Sequence, residues 1–353
     1  MATNFNVGII DFSKLFVPLS KGTAYPTATG YKLSNGQDLN EVFAALGTVN
    51  ALGNGLVAAK TGFLLSDGVT DLADIFNGLK HVITPSANVV KTSVGLWDYY
   101  TVIDTVNAAT ITITANGPTQ CFFTAVAGGG GGSGRGGGGG GGMLVDSFFT
   151  ENETLTINVG LGGNVVRFSS VNYSSNGLNG ENTTVSFQKS SYPTTITCYG
   201  GGGGGSASYG DGKPGGSGGG GSNNGIGGSG VSGQGNSGGD GSDNNGGGGG
   251  GGGAGGSGGA GGSNINGGVG GIGRYSEYSG TVLGYAGGGS GVIEGTLSVL
   301  EYGGGVADGS TTSTNKDAAP NRGGGGGGKG GNFSAQLRAG YGGSGVFILA
   351  VLR

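Results

Sequence analysis

Five unbroken glycine runs, Gly128–Gly132, Gly136–Gly142, Gly200–Gly205, Gly246–Gly253 and Gly323–Gly328, constrain what this chain can become. Ordering a glycine in regular structure costs about 0.5–1 kcal/mol more than ordering an alanine. A sequence with 95 glycines in 353 residues must therefore exploit what glycine alone supplies, a backbone that another backbone can touch. Within residues 200–273 the segment AGGSGGAGGS, Ala254–Ser263, has a strict period of three. Polyproline-II geometry has three residues per turn and no internal hydrogen bonds, so every amide and carbonyl needs a partner outside its own segment. Glycine on two faces of such a helix lets neighbours pair backbone to backbone, and the third face carries Ser, Ala or Asn. With seven prolines, collagen is the wrong analogy. We therefore expect packed polyglycine-II helices over about 200–273, in place of the disordered linker that so much glycine ordinarily signals.

Around these runs the pattern alternates with period two, the mark of half-buried strands. Strands are expected at Ile111–Ile113, Cys121–Ala127, Leu155–Val159, Val165–Val171, Thr183–Phe187, Thr194–Tyr199, Val292–Leu300 and Gly345–Leu352. Gly160, Gly162 and Gly163 read as a turn or bulge. The first hundred residues differ. TGYKLSNGQDLNEVF (29–43) and TGFLLSDGVTDLADIF (61–76) form an internal repeat of turn plus short helix, spanning 29–46 and 61–79. Leu39 with Phe43, and Leu72 with Phe76, fall on one helical face of their units and are the candidate docking residues. The expected fold is thus all-β with packed polyglycine-II helices (105–353), preceded by a small mixed α/β docking region (1–104).

Chemistry is sparse. Charged residues are 10% of the chain and the net charge is −4 with no basic block, which argues against nucleic-acid binding. Arg135 and Arg322 read as solubilising interruptions of glycine tracts. No apolar run approaches the ~20 residues of a membrane span, and the start shows no secretory signal pattern. Cys121 and Cys198 are too few for a disulfide framework and read as buried free thiols, with a pairing left open. His81, the one histidine, reads as a helix-end residue. Gly238–Gly246 fits most of a calcium nonapeptide around Asp243, but once, where such sites stack copies. Neither catalysis, nor a metal, nor a cofactor is expected. The positions that interrupt glycine, Tyr209, Tyr275, Tyr278 and Tyr285, are candidates for receptor-binding loops, because tyrosine suits sugar stacking and polar recognition. The bland alternative is that each clamps the end of a glycine strand.

The order TAVAGGGGG (Thr124–Gly132), LTINVGLGG (Leu155–Gly163), TITCYGGGGGG (Thr195–Gly205) and GGSGVFILAV (Gly342–Val351) resembles the glycine-rich domain of phage tail fibres and other virion surface proteins. The Asn-Gly-x-Asp-Leu-Asn-x-Val-Phe unit is similar to short motifs of virion proteins, including those of large double-stranded DNA viruses. The resemblance implies a non-enzymatic fibre, spike or capsid-associated protein on the virion surface, made in the host cytoplasm. It implies a polyglycine-II sandwich whose loops touch a host glycan or protein, contacts with other virion proteins through residues 1–104, and a homo-oligomer. The rival expectations are an ice-binding polyglycine-II protein and an extracellular matrix-type structural protein.

Overall fold

A computed structural model describes residues 81–165, 175–189, 194–206, 210–243, 246–263, 266–291, 301–307, 316–329 and 338–352, plus the backbone of four short amino-terminal strands. Those four are β1 (Asn6–Val7), β2 (Ile10–Asp11), β3 (Phe16–Pro18) and β4 (Tyr31–Leu33), paired antiparallel as β1–β2 and β3–β4. The short helices expected in the repeat units 29–46 and 61–79, with Leu39, Phe43, Leu72 and Phe76, lie outside the described residues, as do the strands expected at Val292–Leu300 and over nearly all of Val165–Val171. The chain divides into two compact units: Met1–Ile83 with Ile113–Thr119 and Phe149–Asn152, and the remainder.

The larger unit is built on an antiparallel sheet. The strands of that sheet, of which His81–Ile83, Ile113–Thr119 and Phe149–Asn152 fall to the smaller unit, are β5 (His81–Pro85), β6 (Val89–Val94), β7 (Trp97–Val102), β8 (Ala109–Val126), β9 (Met143–Asn158), β10 (Thr183–Phe187), β11 (Thr195–Cys198) and β14 (Val346–Leu352). They are ordered β11-β10-β9-β8-β14-β7-β6, with β5 also paired to β8. The two strands expected around Ile111 and Cys121 are one continuous strand, which runs through Asn116-Gly117-Pro118. His81 opens β5 and does not end a helix; HVITP alternates in burial as a strand does.

Alternation gives the sheet two apolar faces. One presents Tyr100, Val102, Cys121, Phe123, Ala125, Phe347, Leu349 and Val351, all buried. Phe123 lies 6.1 Å from Phe347 and 6.3 Å from Phe148, and Phe148 meets Phe187 edge-on at 5.1 Å. The other face, including Tyr99, Val126, Met143, Val346, Ile348 and Ala350, packs with Tyr285, Ala286 and Ala254 from the glycine-rich part. Both cysteines are free and buried, and desolvation pushes each thiol up to about 12.

From the ends of these strands the chain continues into glycine segments that are neither helix nor sheet. Their hydrogen bonds repeat every third residue. Ala127, Gly130 and Ser133 donate to Gly142, Gly139 and Gly136; Gly128 and Gly131 to Glu181 and Leu178; Gly129 and Gly132 to Gly343 and Gly340. The same segment accepts from Gly201 and Gly204, from Gly163, and from Gly326. Residues 127–133 are thereby enclosed on all sides by other segments, and a β-carbon built on Gly130 would overlap the carbonyl of Gly202. Residues 136–142 repeat the pattern, donating to 199–205, 249–252 and 323–326 at steps of three. The bundle extends beyond the 200–273 stretch to include 127–142, 160–165, 176–182, 286–291, 303–307, 316–329 and 339–345. Gly160 and Gly163 belong to it, accepting from Gly345 and donating to Gly129, and are not a bulge.

Candidate functional site

Because each segment pairs in register with the next, the bundle has a near end at the sheet and a far end away from it. At the near end lie Ala127, Gly142, Tyr199, Gly323 and Gly345, adjoining β8, β9, β11 and β14. At the far end lie Ser133–Gly136, Ser206 with Gly210, Ser222 with Gly225, Ser242 with Gly246, and Gly262 with Asn266, each pair joined by a backbone hydrogen bond or its neighbour's. Lys329 donates its amide to Ser133 there. The far end therefore gathers the turns at 134–135 and 223–224 with the described residues Ser206, Gly210, Asp243, Gly246, Ser263 and Asn266.

This topology sorts the candidate tyrosines. Tyr275, Tyr278 and Tyr285 belong to an insertion at the near end, packed beside the sheet. Its strands β12 (Arg274–Tyr275) and β13 (Gly284–Tyr285) pair antiparallel, and a 3-10 turn, Glu277–Ser279, lies between them. Ser276 caps the turn, accepting from the Tyr278 amide at 3.1 Å, and its hydroxyl bonds to Thr124 on β8. Tyr278 stacks on Phe122 at 4.7 Å, and Phe122 meets Trp97 at 5.5 Å. Tyr285 is 3% exposed, so its ring has almost no surface to offer a ligand, and burial raises its pKa. Tyr275 is 44% exposed, donates its hydroxyl to the Glu301 carboxylate and tilts against Tyr302 at 5.1 Å. The bond to Glu301 raises its pKa. Tyr278 and Tyr285 thus join bundle to sheet. Tyr209 lies outside the described residues, between Ser206 and Gly210 of the far end.

The far end is held by side chains that sequence reasoning places in solvent or overlooks. Arg135, at the turn of the 127–142 hairpin, donates to Asn223 Oδ1 and, at 2.9 Å, to the carbonyl of Gly246. Partial burial lowers its pKa. Arg322, at the near end, donates from Nε to Gly284 O at 2.8 Å and from Nη2 to Glu301 O. Both arginines are staples between glycine segments and not solubilising interruptions. Glycine tracts are rich in carbonyls, and a guanidinium supplies donors in a fork.

A second device is a ladder of asparagines. Asn182, Asn179 and Asn176 accept at Oδ1 from the amides of Gly200, Gly203 and Ser206 at 2.9, 3.0 and 2.8 Å. The Nδ2 groups of Asn176 and Asn179 donate to Asp211 O and Pro214 O at 3.2 and 3.0 Å. The signal is legible in NGLNGEN, Asn176–Asn182, whose asparagines recur at the period of the bundle. Farther round, Asp317 takes both Nη of Arg338 at 2.5 and 2.7 Å and the Tyr341 amide at 2.9 Å. Partial burial pushes the Asp317 carboxyl up, but these donors outweigh it and leave its pKa below the ordinary value. The Arg338 guanidinium lies 4.1 Å over the Tyr341 ring.

Among the described residues no group of three or more His, Cys, Asp or Glu is placed to hold a metal, and no helix is long and apolar enough to cross a membrane. Of the calcium-like stretch, Asp240 Oδ1 accepts from the Gly227 amide of another segment at 2.8 Å, and Asp243 Oδ1 from the neighbouring Ser242 hydroxyl at 3.1 Å.

Fold and hydrogen bonding together define a β-sheet protein whose strands run into a packed glycine bundle. The chain belongs to the glycine-rich domain family, whose match covers residues 104–351. β6 and β7, which precede the matched residues, pair into the same sheet. No curated protein matches the chain.

Proposed function

We propose that this protein is a non-enzymatic structural component of a virus particle, a fibre, spike or capsid-associated protein that contributes to host attachment. In this reading the glycine segments are polyglycine-II helices, and the bundle is a rigid mount for connections displayed at its far end. The observation that carries it is the step of three in hydrogen bonding around residues 127–133, whose glycine amides each have a partner in another segment. A mount of this kind holds loops in one geometry, as recognition of a host surface glycan or protein requires. Attachment to other virion proteins is assigned to residues 1–104, and a homo-oligomer is expected because fibres assemble from identical copies. Tyr209, flanked by far-end residues, remains a receptor-binding candidate; exposed Tyr275 is a lesser one, since it lies at the sheet end.

The test is direct. Antibodies to the full-length protein should detect it in purified particles and label their surface. Its absence from the particles would overturn the assignment.

One observation favours a rival, ice binding. Ser257, Ala260 and Ser263 are exposed at a regular spacing on one side of the bundle. Thermal hysteresis of the purified protein separates the readings, since a virion component should show none.

A further inference from the structure

The outer segments share a feature that their side-chain chemistry does not explain. In each, a residue exposed at every third position carries a side chain: Leu161 and Asn164; Ile226 and Ser229; Ser237 and Asp240; Ser257 and Ala260; Val269 and Ile272. These residues are large and small, apolar, polar and acidic. What they have in common is a β-carbon. Glycine is the commonest residue of these segments, so a merely tolerant outer face would carry it there as often as elsewhere.

The outer backbone also has hydrogen-bonding capacity to spare. In residues 255–263, Gly258 and Gly261 donate to Ser237 and Asp240, and Gly259 and Gly262 to Val269 and Asn266. The amides of Ser257 and Ala260, the remaining phase of three, donate to no backbone carbonyl among the described residues. An open row of amides beside a bare backbone is to this bundle what an unpaired edge strand is to a sheet, a template on which another chain can add. Every interior segment demonstrates the addition: backbone meets backbone wherever no β-carbon intervenes, and a β-carbon built at Gly258 or Gly261 would overlap the carbonyl of Gly250 or Gly247.

From this pattern we infer that the outward side chains are gatekeepers: they end the glycine lattice and keep a second copy of this chain from docking its own glycine segments laterally. The inference rests on the polyglycine-II reading above. It also directs any homo-oligomer to a different surface. Ser257, Ala260 and Ser263 form the gate most open to challenge, because their side chains are the smallest.

The experiment compares the full-length protein with Ser257→Gly/Ala260→Gly/Ser263→Gly by sedimentation velocity over a rising concentration series, with amide exchange of both. The glycine variant should show a concentration-dependent step absent from the wild type, with about a doubling of weight-average mass. In the associated form, exchange of the backbone amides at positions 257 and 260 should slow, while Ser257→Val/Ala260→Val/Ser263→Val should sediment as the wild type does. A glycine variant that keeps interior amide protection yet sediments like the wild type at every concentration overturns the inference. Should that variant lose interior protection, Val269→Gly/Ile272→Gly on the neighbouring segment carries the same expectation and decides. Gly258→Val separates the two levels. If it leaves interior protection unchanged, the lattice reading itself fails. If it lowers protection while the glycine variants stay unassociated, the lattice stands and the gate falls.

Discussion

The hairpin 127–142 and the segment 255–263 use the same residue in different company. In the hairpin, amides of all three phases are taken up by other segments, and every residue but one is buried. In the outer segment two phases are taken up and the third faces water. The sequences differ accordingly, GGGGG and GGGGGGG against AGGSGGAGGS. Run length therefore reports depth. An unbroken run marks a segment enclosed on every side, and a side chain in every third place marks one with a free side. Gly246–Gly253 obeys the rule, bonding to 256–262, 218–221, Gly289, 239–242, 137–140 and 268–271.

The largest effect should come from breaking the enclosed region. A β-carbon on Gly139 would overlap the carbonyls of Ser217 and Gly218, both backbone and unable to rotate away. Gly139→Val forces segments apart and orphans several buried amides at about 1–3 kcal/mol each. We expect a loss of more than about 4 kcal/mol in urea unfolding, or no folded bundle at all. Gly258→Val, on the outer segment but facing inward, should cost about 1–3 kcal/mol, because that segment has room to move outward. Equal costs at the two sites would remove the distinction between enclosed and outer segments.

Next comes the asparagine ladder, where side chains stand in for a missing backbone neighbour. Asn179→Leu deletes the acceptor for the Gly203 amide and the donor to Pro214 O, and should destabilise by about 1–3 kcal/mol. Faster amide exchange at Gly203 than at Gly204, which bonds to Gly131 O, would localise the loss. An unchanged Gly203 would show that the ladder is not what protects it.

Legibility in the sequence follows the same divide. Thr183–Phe187 is readable to the residue, because strict alternation states both its strand and its buried face. The lattice is readable where its period is printed in side chains, as in Ala254–Ser263. It is not readable in Gly128–Gly132 or Gly323–Gly328, where a run of identical residues has no phase, so the sequence draws the bundle too small. Arg135 and Arg322 mislead because a lone arginine among glycines has the same sequence signature in solvent as against carbonyls. Tyr275, Tyr278 and Tyr285 read as loop-tip residues because sequence does not tell which end of a glycine run adjoins the sheet. Tyr209 lies outside the described residues.

A smaller effect is expected at the Asp317–Arg338 pair. Asp317 is held below the ordinary carboxyl value of 3.8, so its contribution is present above that pH and is lost as pH falls through the lower folded value. Both side chains are partly exposed, at 40% and 35%, which limits the pair to about 0.2–1 kcal/mol. Arg338→Gln should remove that much at pH 7 and narrow its gap to the wild type in acid. A gap that widens on acidification would reverse the assignment.

The smallest effect is the sharpest test of what the outer segment faces. Ser257 lies between Gly256 and Gly258, in the phase that points to water, and its hydroxyl is no part of the backbone bonding that joins the segment to 237–240 or 266–269. Ser257→Val adds a branched side chain only one residue from the site of Gly258→Val. Its β-carbon replaces one already present, and the extra methyl groups enter solvent. The change should stay within about 0.5 kcal/mol, with the urea midpoint of the wild type and unaltered protection of the Gly250 and Gly259 amides, which bond to Gly259 O and Val269 O. A loss comparable to that of Gly258→Val would mean that the third face is covered after all. If that loss grew with protein concentration the cover would be another copy of the chain, and the contrast between one-in-three and unbroken glycine would no longer measure depth within a single molecule.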